Sequence, residues 1–169
     1  DILRQTFIIQ TFDKTQGTCF LVEMDNQEYL ITAKHLFRTK IHNGDSARIV
    51  IYQENKEINL SVQFYVHKDT TIDIAVLKLK ESIKVMTPFS IGGKVVLGQD
   101  IYFLGYPSFN NIQFLTKGTI GILPLVKKGI ISGWNYNGAY TLYFLDAHNN
   151  PGFSGGPALC IDFDTKKPV

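Results

Sequence analysis

Eight consecutive residues, Asn150-Pro151-Gly152-Phe153-Ser154-Gly155-Gly156-Pro157, carry the strongest chemical signal in the sequence. Glycines stand two positions before Ser154 and one and two after it. Lacking Cβ atoms, they let the backbone turn tightly enough to present a hydroxyl together with successive N–H groups. A nucleophilic serine needs that exposure. The oxyanion formed on an attacked carbonyl needs preorganised donors about 3 Å away. The N–H groups of Gly152 and Ser154 are the natural pair. The competing reading is a plain Gly-rich turn between strands, since Gly, Pro and Ser dominate turns for reasons of their own.

Serine is a weak nucleophile at its own pKa and requires a positioned base. Four histidines are available: His35, His42, His67 and His148. His35 follows the apolar run Tyr29-Leu30-Ile31-Thr32-Ala33-Lys34, which sets an imidazole at the lip of a packed strand. His42 sits beside an Asn-Gly turn and His67 beside Lys68-Asp69, both in loop contexts. The base must also be held in one tautomer, usually by a carboxylate on its other nitrogen. Thr71-Ile72-Asp73-Ile74-Ala75-Val76-Leu77 supplies Asp73 at the mouth of an apolar strand. Burial there would be costly without a partner. Taken alone, Asp73 fits either an orienting role or a turn that satisfies backbone N–H groups.

These residues must be positioned by strands. The 169-residue chain is 44% hydrophobic and 19% charged, which excludes a disordered polypeptide. A net charge of +2 is too balanced for the electrostatic footprint of a nucleic-acid binder. No apolar run approaches the ~18–20 residues of a membrane span. Runs rich in Ile, Val, Phe, Tyr and Thr predict strands over 7–12, 17–24, 28–32, 48–53, 58–66 and 74–79. Only residues 33–37 look like a helical turn. The pattern lapses between residues 81 and 98 and resumes at 101–104, 113–122, 129–133, 140–145 and 157–162. This predicts an all-β protein with an N-terminal unit over 1–83, a linker over 84–98 and a C-terminal unit over 99–169. Cys19 and Cys160 are too far apart for a redox or metal motif, and read as small buried hydrophobes.

The order His35, Asp73, Ser154, with spacings of 38 and 81 residues, is one of the orders in which a Ser-His-Asp triad occurs. The segments around these residues resemble the trypsin-like serine peptidases. Tyr29-Leu30-Ile31-Thr32-Ala33-Lys34-His35 resembles their "TAxH" block, residues 71–79 their "DIALLKL" block and residues 152–157 their "GxSGGP" block. Asp146-Ala147-His148-Asn149-Asn150-Pro151-Gly152 is most similar to the bacterial HtrA-type branch. Gly17-Thr18 and Gly105-Tyr106-Pro107 add supporting matches, so the resemblance spans roughly residues 15–162. It implies two six-stranded antiparallel barrels around a cleft, with His35 and Asp73 from the first and Ser154 from the second. Ser154 would attack a peptide carbonyl, His35 would move the proton, and Asp73 would orient His35, with no metal or organic cofactor.

The chain departs from the family pattern in two ways. Two further strands usually follow the last segment, whereas residues 162–168 read as a polar turn, so the second barrel is expected to be truncated. There is also no "IVGG"-like start, which leaves activation to a partner or a further domain. The resemblance puts His148, six residues before Ser154, at the base of the primary pocket, where it would favour acidic or polar side chains over Lys or Arg. Phe153 stands where relatives carry a small polar residue. If its pocket belonged to the missing strands, the oxyanion loop would collapse and activity would be latent. The competing functions are a catalytically inactive peptide-binding or scaffold module and an esterase, the latter lacking its strand-to-helix elbow. Lys127-Lys128 and Lys166-Lys167 read as solvated strand ends. The lack of a secretory leader leans toward the cytoplasm, but the chain begins at Asp1, so the compartment is left open.

Overall fold

The computed structural model describes residues 2–53, 56–83, 91–107, 123–167 and 169. Six strands form a closed antiparallel barrel: β1 (Thr6–Gln10), β2 (Gln16–Met24), β3 (Gln27–Ala33), β4 (Ser46–Gln53), β5 (Lys56–Val66) and β6 (Ile74–Leu79), in the order β1-β2-β3-β6-β5-β4. Alternation does the folding work. Leu60, Val62 and Phe64 of β5 and Ala75, Leu77 and Leu79 of β6 point inward and are buried, while their neighbours face out. They share a single core with Ile9, Leu21, Leu30 and Ile51 from other strands. The β2–β3 hairpin turns on Asp25 and Asn26, whose φ values of 52° and 59° are the positive pair that a two-residue type I′ turn requires.

A second sheet comprises β7 (Asp100–Gly105), β8 (Leu125–Tyr136), β9 (Thr141–Asp146) and β10 (Ala158–Leu159), in the order β10-β7-β8-β9. This order repeats β4-β1-β2-β3 of the barrel. Among the described residues the second sheet is not closed. Leu142, Tyr143, Phe144 and Leu145 of β9 are accordingly all exposed, although they alternate across the strand.

The fold is all-β, as the strand patterning predicts, with a few differences. β8 runs from Leu125 to Tyr136 rather than over 129–133, so Lys127 and Lys128 are interior strand residues on opposite faces, not strand ends. The last strand shrinks to Ala158–Leu159, because Cys160 and Val169 exchange backbone hydrogen bonds at 3.0 and 2.9 Å and fold the chain back on itself. The strand expected over 113–122 lies outside the described residues, as do residues 84–90 of the expected linker. Among the described residues, no helix is long and apolar enough to cross a membrane.

Candidate active site

β3 and β6 pair with Ala33 opposite Ile74, so the residues just beyond each strand meet at one end of the barrel. β3 runs straight into a single-turn 3-10 helix, Lys34–Leu36, which carries His35. The Lys34 N–H donates to the Asp73 carbonyl at 3.3 Å, extending the ladder by one step. Lys34 Nζ donates to the carbonyls of Thr70 and Ile72 at 3.0 and 2.8 Å, pinning the turn that leads to Asp73. Both Asp73 oxygens then engage His35. Oδ1 accepts the backbone N–H at 2.8 Å, and Oδ2 lies 2.5 Å from Nδ1. A carboxylate gripping backbone and ring together fixes the ring's orientation and favours the tautomer with the proton on Nδ1. The expected burial of Asp73 is not found. Its side chain is 49% exposed, because it stands on the barrel rim rather than under it.

The loop of Ser154 lies against the same end of the barrel. The Ser154 carbonyl accepts the Thr18 N–H at 3.0 Å, and the Gly152 carbonyl accepts the Thr18 hydroxyl at 2.6 Å. Gly155 fits where no side chain could. A Cβ there would lie 2.3 Å from Thr18 O and Thr32 Oγ1 and 2.7 Å from Ala33 N, two residues from His35. The loop is thus seated beside His35. Among the described residues, no hydrogen bond joins the Ser154 hydroxyl to His35; such bonds commonly tighten only with substrate.

Phe153 N–H closes a turn on Asn150 O at 3.3 Å, with Pro151 and Gly152 at the centre. Gly152 has φ 101°, the left-handed value that a type II turn demands at this position; a reversed central peptide would need φ near about −90°. The N–H groups of Gly152 and Ser154 have no acceptor among the described residues. Phe153 is buried, its ring 5.6 Å from that of Phe103 and pressed onto Gly105. Its pocket therefore belongs to β7 and β8, and the premise of a loop collapsed for want of a pocket does not hold.

The sequence gives no sign of a role at the site for three residues here: Thr18, Lys34 and Lys127. Lys127 Nζ donates to the His148 carbonyl at 2.8 Å and to Asn150 Oδ1. The alternating exposure of β8 is the one signal that separates Lys127 from Lys128, which pairs with Asp100 at 2.8 Å. His148 itself is exposed. His42 and His67 do not join the His35–Asp73 pair: His42 pairs with Asp45 at 3.4 Å, and His67 Nδ1 accepts the Asp69 N–H at 3.0 Å. Both line a cavity of about 660 Å³ that opens beside His35 and Asp73 and is floored by Phe37, Ile41 and Val66. Asp69 is held below the usual carboxylate range by the Thr71 hydroxyl and N–H, as expected of a turn aspartate. Cys19 and Cys160 are free and buried, and burial pushes both thiols up. Among the described residues, no cluster of three His, Cys, Asp or Glu could hold a metal.

Comparison with known proteins gives the geometry a context. The family described as trypsin-like peptidase domain matches residues 17–164. The inactive form of Rv3671c from M. tuberculosis H37Rv, a serine-to-alanine mutant, superposes with a TM-score of 0.61 at 20% identity, covering 95% of this chain and 70% of that one. The apo MamO protease domain from Magnetospirillum magneticum gives a TM-score of 0.59 at 17% identity, covering 99% of this chain and 82% of that one. At such identities the likeness is one of fold. No curated protein matches the chain significantly.

Proposed function

Because the chain belongs to the trypsin-like peptidase domain family, whose substrates are polypeptides, we propose that it is a serine endopeptidase with His35, Asp73 and Ser154 as its triad. The observation that carries this reading is the double grip of Asp73 on His35, at 2.8 Å to the backbone and 2.5 Å to the ring. With Nδ1–H facing Asp73, Nε2 is the free basic nitrogen. It takes the proton as Ser154 Oγ bonds to the substrate carbonyl carbon, and Asp73 stabilises the imidazolium that forms. The same proton then passes to the leaving amine as the C–N bond breaks. Water repeats the sequence to release the acyl group.

The N–H groups of Gly152 and Ser154 serve as the oxyanion hole. The positive φ of Gly152 and the lack of any acceptor for either N–H among the described residues support that role. No cofactor enters the mechanism. The match of β10-β7-β8-β9 to β4-β1-β2-β3 supports a second unit built on the barrel plan, with units over 1–83 and 99–169. The run from Asp146 to Gly152 supports kinship with the HtrA-type branch. His148 would line the primary pocket and favour acidic or polar side chains.

The test is labelling with a fluorophosphonate probe. Ser154 should be modified in the wild type, and Ser154→Ala should abolish both labelling and proteolysis while altering stability by only about 0.5 kcal/mol. A folded wild type that resists the probe and cleaves no peptide library would instead mark an inactive peptide-binding module.

A further inference from the structure

Lys127 plays no part in triad chemistry, yet its ammonium is committed to one loop. Nζ donates to the His148 carbonyl at 2.8 Å and to Asn150 Oδ1, and stands 4.9 Å from the centroid of the Phe153 ring. Asn150 and Phe153 are the first and last residues of the turn that presents Gly152. One cation therefore holds both ends of that turn. Its place is set by the sheet: Lys127 of β8 pairs directly with Phe103 of β7, and Phe103 packs edge-on against Phe153 at 5.6 Å. Gly105, at the end of β7, leaves the space that the ring fills, since a Cβ there would lie 2.5 Å from it. Among the described residues, Lys127 has no carboxylate partner; the neighbouring Lys128 takes Asp100. The Lys127 charge is thus satisfied by a carbonyl, an amide oxygen and an aromatic face, all on the 148–153 segment.

We propose that Lys127 is the positioning residue of the oxyanion hole, an internal cation that keeps the Asn150–Phe153 turn in the conformation presenting the Gly152 N–H. The proposal rests on the peptidase reading above. It explains how a bulky aromatic is accommodated between the two donors: the ring is the surface on which the ammonium sits. Without the ammonium, Asn150 and Phe153 lose their common anchor, and the central peptide of the turn is free to reverse. Reversal removes one donor from the transition state and leaves ground-state peptide binding intact.

The experiment compares wild type with Lys127→Met, which keeps the alkyl stem and removes the charge and donors, and with Lys127→Arg. Each is assayed for peptide hydrolysis, for inhibition by a peptide boronate that forms a tetrahedral adduct, and for thermal melting. Lys127→Met should lower kcat about 10- to 100-fold, part of the 10²–10³ that accompanies complete loss of a hole donor. KM should stay within about two-fold, boronate affinity should fall in parallel with kcat, and Lys127→Arg should recover most of both. Wild-type kcat and boronate affinity in Lys127→Met would overturn the proposal. So would a loss of activity that merely follows a lowered melting temperature and is regained on cooling. If wild-type Ser154 is not labelled by a fluorophosphonate, the peptidase reading itself fails, an outcome separate from an active enzyme indifferent to Lys127.

Discussion

The Thr18 hydroxyl donates a buried hydrogen bond of 2.6 Å to the carbonyl oxygen of Gly152, joining residues 134 positions apart. The Thr18 hydroxyl oxygen in turn accepts the Tyr106 N–H at 3.0 Å, while the Thr18 N–H reaches Ser154 O at 3.0 Å and the Thr18 carbonyl accepts the Thr32 hydroxyl at 2.7 Å. One residue of β2 thus ties the barrel to the end of β7 and to both sides of Phe153. The position of Ser154 relative to His35 is set largely here, since β3, which leads into His35, is bonded to the same threonine.

Thr18→Val keeps the shape and removes both hydrogen-bonding roles of the hydroxyl. It leaves the buried Gly152 carbonyl and the half-buried Tyr106 N–H without this partner, at about 1–3 kcal/mol for a fully buried group. Melting temperature should drop by roughly 5–15 °C on the scale of ~2–4 °C per kcal/mol for a chain of this size. Fluorophosphonate labelling of the folded variant should slow at least about ten-fold, as a displaced loop implies. Thr18→Ser should restore both. A valine variant that melts and labels like wild type would show that the peg is dispensable.

Asp73→Asn probes the tautomer directly. Asparagine can still accept the His35 backbone N–H through its oxygen, so the turn survives. Its amide nitrogen, however, then faces Nδ1 as a donor and drives the ring proton to Nε2, where, in the proposed mechanism, it would block uptake of the Ser154 proton. Turnover should fall by about 10⁴, the scale set by the wrong tautomer in this type of triad. The side chain is 49% exposed, so stability should move by less than about 1 kcal/mol. Peptide hydrolysis and thermal melting of the same preparation separate the two effects. Near-normal turnover would take the orienting role away from Asp73.

Much of this was legible in the sequence, because it depended on local pattern. Period-two alternation around Leu60, Val62 and Phe64 announces a half-buried strand, and the polar pair Asp25-Asn26 marks the break between β2 and β3. His35 and Asp73 each stood out at the end of an apolar run, and strand ends are where a rigid scaffold can present a side chain. What escaped were relationships between distant residues. Thr18 acts on a carbonyl 134 positions away, and Lys127 on residues 21 and 23 positions away, with nothing in their neighbours to say so. Burial of Asp73 was misjudged for a related reason. Ile72 and Ile74 beside it suggest a buried strand, yet Ile74 is 50% exposed, because the barrel's core begins one residue later at Ala75.

Gly155→Ala should be among the most damaging single-methyl additions in the protein. The position has φ 84°, and the new carbon would lie 2.3 Å from the Thr18 carbonyl oxygen and from Thr32 Oγ1. Backbone strain and overlap with an immovable barrel strand add together, so destabilisation of about 3 kcal/mol or more is expected. Urea or thermal unfolding measures it, with Gly138→Ala as a control. Gly138 has φ 89° but open space around it, so its variant carries the backbone penalty alone. Equal effects at the two glycines would mean that close contact with the barrel is unimportant at Gly155.

Asp162 gives the fold a dependence on acid. The Thr165 hydroxyl and the N–H groups of Thr165 and Lys94, the latter two at 2.6 and 2.5 Å, hold its carboxyl down at about 2 from an ordinary value of 3.8. These bonds close the turn after β10 and fasten it to the segment before β7, where Phe163 N–H also reaches Lys94 O at 2.8 Å. A carboxyl depressed in the folded state binds its proton more readily when unfolded. Its stabilisation is therefore complete above about pH 4 and is lost as pH falls through about 2. Asp162→Asn cannot follow that titration. The variant should be less stable than wild type at neutral pH, and the gap should narrow between about pH 4 and pH 2 as wild type loses its charged acceptor. Paired urea unfolding curves across that range cancel the other carboxylates, which titrate in both proteins. A gap that stays constant down to pH 2 would mean that the Asp162 charge does not hold the turn closed.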